Sequence, residues 1–197
     1  MKKFKKVVSV AIATVCAWSC GISVSASSEG DKETYYFNTG DISLEITVDS
    51  GVEVTCETEQ YIPIERGASK PTKFYDLSKV SYYSGSGYWD VSPLFSAYYF
   101  KSNSSQLMYM KGRVYSSATF NTPLEVILID MDSNTSTKFK VSSTLSDCSS
   151  YSWNLKYSNL NKSHKYCFKF TNPSSNGKQR LNLNEFKVSH YSQYLKI

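Results

Sequence analysis

The sequence predicts an all-β fold: an antiparallel β-sandwich of Greek-key or jelly-roll type behind a cleaved signal peptide. Three observations predict it. Short runs with apolar residues at every second position recur along the chain, and turn formers separate them. No segment sustains an apolar period of 3.6 residues. Serine, asparagine and threonine are frequent, and these favour turns and caps over helix interiors.

The first element is a leader. Lys2, Lys3, Lys5 and Lys6 form a basic head, and Val7 to Ala17 is an apolar run too short to span a bilayer with these flanks. Val24-Ser25-Ala26 supplies small residues where a signal peptidase reads, so cleavage is expected after Ala26. The leader is of bacterial type. The alternative is a lipid anchor on Cys20, which follows Ser19 and precedes Gly21; Trp18 makes that signal a poor one. Residues 1–26 are therefore read as signal peptide, 27–65 as an acidic N-terminal strand hairpin, and 66–197 as the main sandwich. The last two together suit one compact domain.

Thr34 to Phe37 predicts a short aromatic strand. Ile42, Leu44, Ile46 and Val48 alternate with Ser43, Glu45 and Thr47 as in a half-buried strand. Asp49-Ser50-Gly51 turns the chain, and Val52, Val54 and Cys56 alternate back, which predicts a hairpin with an acidic outer face. Glu57 to Pro71 reads as a loop. Phe74 to Tyr83 reads as extended, and Ser84-Gly85-Ser86-Gly87 as a loop tip that cannot bury itself. From Met108 the inward set is Met108, Met110 and Val114, with Lys111 and Arg113 outward.

Leu124 to Met131 is the run on which the fold centres. Leu124, Val126 and Leu128 lie on one face, and Ile127, Ile129 and Met131 on the other, so the strand is covered on both sides. The turn formers Asp132 to Ser136 end it. Lys138-Phe139-Lys140-Val141 then completes a hairpin. Tyr151, Trp153, Leu155 and Tyr157 share one face of a later strand, which reads Trp153 as core. Tyr166, Phe168 and Phe170 share one face of the next. In the last strand Leu181 and Leu183 are odd but Phe186 and Val188 even, so a bulge is expected near Asn184-Glu185.

The formal charge is +5. The four leader lysines account for most of it, so the exported chain is near neutral and nucleic acid is not indicated. The remaining charge is uneven. Ser27 to Glu65 carries ten acids against Lys32 alone, and the chain from Arg66 onward is basic. The acidic strands either dock on the basic remainder or leave a basic face for anionic polymers. Cys56, Cys148 and Cys167 follow the leader. An odd number leaves one thiol unpaired, and Cys148–Cys167 is the candidate disulfide. Glu53, Glu57 and Glu59 around Cys56 disfavour a thiolate.

No catalytic motif, phosphate loop or zinc-spaced cysteine set is present. His164 and His190 have no nucleophile or carboxylate at a telling spacing, and both read as solvated surface residues. Asp130, Asp132 and Asn134 space three oxygen donors like the start of a calcium loop. Thr135 and Val141 then stand where such a loop needs Gly and Glu, so an ordinary turn is expected. The aromatic content is high, 15% of residues. Tyr82, Tyr83, Tyr88 and Trp89, with Asp90, flank the Ser/Gly tip. They form the candidate binding site, where rings stack on sugar faces or peptide side chains and Asp90 bonds hydroxyls.

These readings point to a secreted, extracellular, non-catalytic binding or adhesion module. Its partner would be a cell-surface glycan, a wall polymer or a protein, with no cofactor, no metal site and no transmembrane segment. The alternatives are a secreted β-sandwich enzyme acting on glycans, and a structural extracellular protein without a small ligand.

Overall fold

A computed structural model describes residues 23–29, 31–39, 41–49, 52–60, 69–89, 93–116, 124–142, 150–171 and 181–195. The described residues form twelve strands: β1 Ser23–Glu29, β2 Lys32–Asn38, β3 Ser43–Asp49, β4 Glu53–Gln60, β5 Tyr83–Trp89, β6 Leu94–Phe95, β7 Met108–Ser116, β8 Leu124–Asp130, β9 Thr135–Ser142, β10 Ser150–Ser158, β11 Tyr166–Thr171 and β12 Leu181–Ser189. A single 3-10 turn, Ser192–Leu195, follows. Two antiparallel sheets result. One is seven-stranded in the order β1-β2-β3-β10-β7-β12-β5, and the other five-stranded in the order β4-β9-β8-β11-β6. None of the described segments is a helix long and apolar enough to cross a membrane.

Period-2 patterning decides which side chains meet. Leu44, Ile46 and Val48 of β3, Met108, Met110 and Val114 of β7, and Trp153, Leu155 and Tyr157 of β10 come from the larger sheet. Val126 and Leu128 of β8, Phe139 of β9, and Phe168 and Phe170 of β11 come from the smaller one, and all belong to one core. β8 is buried at every position, as its apolar faces require. Its second face holds Ile127 and Ile129 in a satellite cluster with Cys167, packed by Phe95, Tyr99 and Met131. β8 and β9 form the expected hairpin, with Asn134 in the left-handed region at φ 58°. The parity break in β12 is a bulge: its register shifts between Leu183 and Glu185 against β7.

Trp153 sits across from Gly112 in the β10–β7 register. A Cβ on Gly112 would lie 2.2 Å from the indole, so only glycine lets the ring lie flat over that strand. The indole N–H points at the Met110 sulfur at 3.3 Å.

The expected β3–β4 hairpin does not form. β3 pairs with β2 and β10, whereas β4 crosses to the other sheet and pairs with β9. Local alternation is the same in both arrangements, and in the one that forms the glutamates of β4 meet the lysines of β9. Glu57 and Glu59 of β4 face Lys138, and Glu57 also holds Lys140 at 3.0 Å. The acidic segment thus docks on bases of the later chain. Lys111 is on the outer face, as expected, but only 6% exposed, with Glu185 3.4 Å from its ammonium.

Strand β1 runs through Ala26, where cleavage is expected, and pairs along its length with β2. Residues 1–22 lie outside the described residues.

Candidate functional site

The aromatic segment expected as a loop is the edge strand β5, paired with β12. Serine and glycine here do not mark a mobile tip. A Cβ on Gly85 would come 2.9 Å from the Tyr83 hydroxyl, and one on Gly87 would come 2.8 Å from Leu94, so both glycines make room for packed side chains. Tyr83 is accordingly buried, edge-on to Tyr75, Tyr98 and Phe186, and is not an exposed platform. Tyr82 and Tyr88 are exposed, and the Lys187 ammonium lies 5.1 Å from the Tyr82 ring centre. The Trp89 side chain and Asp90 lie outside what the structure describes.

β5 places Tyr88 at the margin of a larger feature, the outer face of the seven-stranded sheet. Registry lays that face out in rows across the strands. One row runs Tyr36, Glu45, Lys156, Tyr109 through β2, β3, β10 and β7. The next runs Thr34, Thr47, Asn154, Lys111, Lys187, Ser84 through β2, β3, β10, β7, β12 and β5. Lys156 donates to Glu45 at 3.0 Å, and that bond holds its ammonium above the usual lysine range against the opposing effect of burial. Lys32 pairs with Asp49.

A groove of about 430 Å³ opens on this face. Its floor and sides include Lys32, Glu45, Thr47, Asn154, Lys156 and Tyr109. Ser192 and Leu195 of the 3-10 turn also line it. Tyr191, just before that turn, and Tyr194 on it are exposed and stack edge to face at 6.0 Å. Asn154 Oδ1 is buried with no hydrogen-bond partner. Glu45, Thr47, Asn154 and Lys156 each sit at polar positions of alternating runs. Alternation marks them as outward positions of their strands, and their meeting in one groove follows from strand order, which spacing does not carry.

The two histidines differ from the solvated reading. His164 Nδ1 donates to Asp130 Oδ2 at 2.7 Å, and its Nε2 accepts from Asn161 Nδ2 at 3.0 Å. Asn161 Oδ1 is taken by the Ser163 N–H and hydroxyl, which fixes the amide orientation and with it the imidazole tautomer. His190 is buried and bonds the Lys101 carbonyl at 2.9 Å through Nε2. Among the described residues neither faces a nucleophile at Nε2, as a triad requires.

The calcium-like spacing is a built turn. Asp130 Oδ1 accepts the backbone N–H of Asp132 and of Ser133, and Asp132 Oδ2 accepts that of Lys165. Among the described residues no group of His, Cys, Asp and Glu gathers as a metal set.

Cys56 and Cys167 are buried free thiols on opposite faces of the smaller sheet. Burial pushes each up to about 12, so neither is a thiolate near neutral pH. Cys148, the other half of the candidate disulfide, lies outside the described residues.

Carboxylates meet on the outer face of the smaller sheet. Glu57 and Glu125 both contact Lys138 and Lys140 at 3.0–3.8 Å. The lysines stand between them, so the cluster is a charge ladder with its acceptors already occupied.

No protein-family model matches the chain, and no curated protein matches it.

Proposed function

We propose that this chain is an exported, non-catalytic module that binds a surface glycan or wall polymer on the outer face of its seven-stranded sheet. The observation that carries this reading is the groove. It is concave, carries hydroxyl, amide and charged groups, and has the Tyr109 ring in its side. Polar groups that converge beside an aromatic ring suit a ligand with hydroxyl edges and apolar faces, which is a sugar. Export follows from the leader. Cleavage after Ala26 leaves Ser27–Glu29 of β1 in register with Lys32–Thr34 of β2.

The test is retention of the purified chain on isolated bacterial cell walls and insoluble polysaccharides, at low and high salt. Tyr109→Ala is compared with the double variant Tyr88→Ala, Trp89→Ala. Retention lost in Tyr109→Ala but kept in salt is the expected result. Loss with the β5 pair alone moves the site to the sheet edge. Loss in salt alone points to an anionic polymer held by charge. Retention on nothing removes the glycan reading and leaves a protein partner or a structural role.

A further inference from the structure

We infer that the chain carries a second binding surface, on the outer face of the smaller sheet, where Phe74, Tyr99, Lys101 and Lys165 hold an acidic polysaccharide. A uronate ring rests on the aromatic pair and its carboxylate meets the two lysines. This surface is separate from the groove and does not depend on it.

The backbone sets the lysines face to face. Phe100 and Tyr166 form an antiparallel bridge and exchange N–H to carbonyl bonds at 2.8 and 2.9 Å. Both rings belong to the core between the sheets. Lys101 follows Phe100 and Lys165 precedes Tyr166, so the two stand opposite each other and alternation turns both outward. Like charges placed so are destabilising, and an anion between them relieves the repulsion. The protein supplies little of that relief. Among the described residues Lys101 has no carboxylate within ion-pair distance, and Lys165 has only Asp132 at 3.9 Å. Asp132 Oδ2 already accepts the Lys165 N–H at 2.6 Å, and Asp130 is held by His164.

Most other lysines of the described surface are matched. Lys32 meets Asp49, Lys156 meets Glu45, Lys138 and Lys140 meet Glu57, and Lys111 and Lys187 meet Glu185. Two more exposed lysines lie beside the Lys101–Lys165 pair in the chain. The Lys73 carbonyl accepts the Tyr99 N–H at 2.9 Å, and Lys162 stands in the turn just before Lys165. Part of the basic surplus of the later chain thus gathers here.

An aromatic plate adjoins the charge. Phe74 stacks on Tyr99 with ring centres 5.4 Å apart and planes at 27°, and it is 44% exposed. The Lys165 ammonium lies 5.8 Å from the Tyr99 ring centre. An exposed ring beside unmatched ammonium groups suits a ligand that joins an apolar face to an anion within one unit. A uronic acid residue does so, with C–H bonds on its ring face and a carboxylate at one end. An acidic peptide or a phosphate chain would use the lysines and leave Phe74 idle.

The test is calorimetric titration of the purified chain with oligogalacturonates from trimer to hexamer, beside cellohexaose, poly-glutamate and polyphosphate. The oligogalacturonates should bind tightest, and more weakly as salt rises. Lys101→Gln and Lys165→Gln should each weaken them about fivefold and flatten the salt dependence. Phe74→Ala should weaken them about tenfold and leave poly-glutamate unchanged, whereas Phe74→Tyr should retain binding. Arg113→Gln, which removes a base from the other sheet, should change nothing, and neither should Tyr109→Ala. Thermal melts of each variant separate these effects from misfolding.

Equal binding of poly-glutamate and oligogalacturonate, with Phe74→Ala silent, would overturn the sugar class, as would a preference for polyphosphate. Binding that ignores both lysine variants, or no binding of oligogalacturonates at all, would overturn the site. Loss of oligogalacturonate binding in Tyr109→Ala would move it to the groove and overturn the second surface. The groove reading itself stands or falls on retention of Tyr109→Ala on polysaccharides.

Discussion

Asp130 and His164 meet at 2.7 Å across the gap between the β8–β9 turn and the loop that leads into β11. The Asp130 carboxylate also caps the N–H groups of Asp132 and Ser133. One side chain thereby ties down the end of the β8–β11 ladder at which Asp130 faces Tyr166. Burial alone would raise its pKa, but His164 and the two N–H groups outweigh that and hold the carboxyl below the usual aspartate range. Asp130→Ala should cost about 3 kcal/mol, since it leaves several donors without acceptors. The sign with pH follows from the lowered pKa. Asp130 contributes fully above its unfolded value of 3.8, and the contribution is lost as pH falls through the folded value. Urea unfolding of wild type and Asp130→Ala at pH 7 and pH 2.5 should show a gap that narrows in acid. A gap that is constant with pH would mean that the carboxylate charge plays no part.

Gly112 exists for Trp153. With a Cβ 2.2 Å from the indole, Gly112→Ala must push a fully buried ring, and a loss of about 3 kcal/mol is expected. Trp153→Phe should cost stability through a cavity. In the Gly112→Ala background its cost should shrink, because the smaller ring clears the methyl group. Chemical denaturation of the four proteins gives the coupling, and strict additivity would show that the two residues do not clash.

The Tyr157 hydroxyl is buried in the core without a partner. Burial first, and the neighbouring Cys56 second, push it well above the usual tyrosine range, so it stays neutral. Removing an unsatisfied group recovers its desolvation cost. Tyr157→Phe should therefore leave stability unchanged or raise it by about 1 kcal/mol, which is a Tm gain of roughly 2–4 °C for a chain of this size. A clear fall in Tm would reveal a partner that this geometry lacks.

What the sequence made legible divides along a physical line. Side-chain parity is local, so the β8 double face, the Trp153 row and the β12 bulge could be read from spacing. Sheet membership is not local. Val52, Val54 and Cys56 alternate equally well in either sheet, and the partners of β4, the backbone and lysines of β9, stand some eighty positions later. The groove is equally non-local, since Glu45, Lys156 and Tyr109 become neighbours only once the order β3-β10-β7 is known. Ser84 to Gly87 misled for another reason. Small residues suggest a tip with nothing to bury, whereas Gly85 and Gly87 serve close packing against Tyr83 and Leu94. His164 and His190 looked solvated because their partners, Asp130 and the Lys101 carbonyl, are distant in sequence.

Lys138 is the hinge of the charge ladder on the smaller sheet. Its side chain is 12% exposed and faces Glu57 at 3.1 Å, Glu59 at 3.3 Å and the Glu125 carboxylate at 3.8 Å. Burial raises the Glu125 pKa, and Lys138 and Lys140 pull against that rise. Glu57 goes the other way: burial would raise it, but its bonds to Lys140 and Lys138 bring it below the usual range. The two carboxylates therefore bend the pH profile in opposite directions. A carboxyl with a raised pKa destabilises the ionised fold, and that penalty is relieved as pH falls through the folded pKa toward the unfolded value of 4.5. Glu57 contributes stability above that unfolded value and loses it as pH falls through its lowered pKa. Lys138→Met removes the nearest compensation for Glu125 and should cost about 3 kcal/mol at pH 7. Tm of this variant should then climb between pH 7 and pH 5, where wild type stays nearly flat. Adding Glu125→Leu should restore much of the loss and abolish the slope, because no uncompensated buried carboxylate remains. If Lys138→Met instead costs under about 0.5 kcal/mol and shows no slope, the ladder behaves as a set of solvent-screened surface pairs. The order of β4 against β9 would then rest on backbone pairing and on Val54 and Cys56 alone.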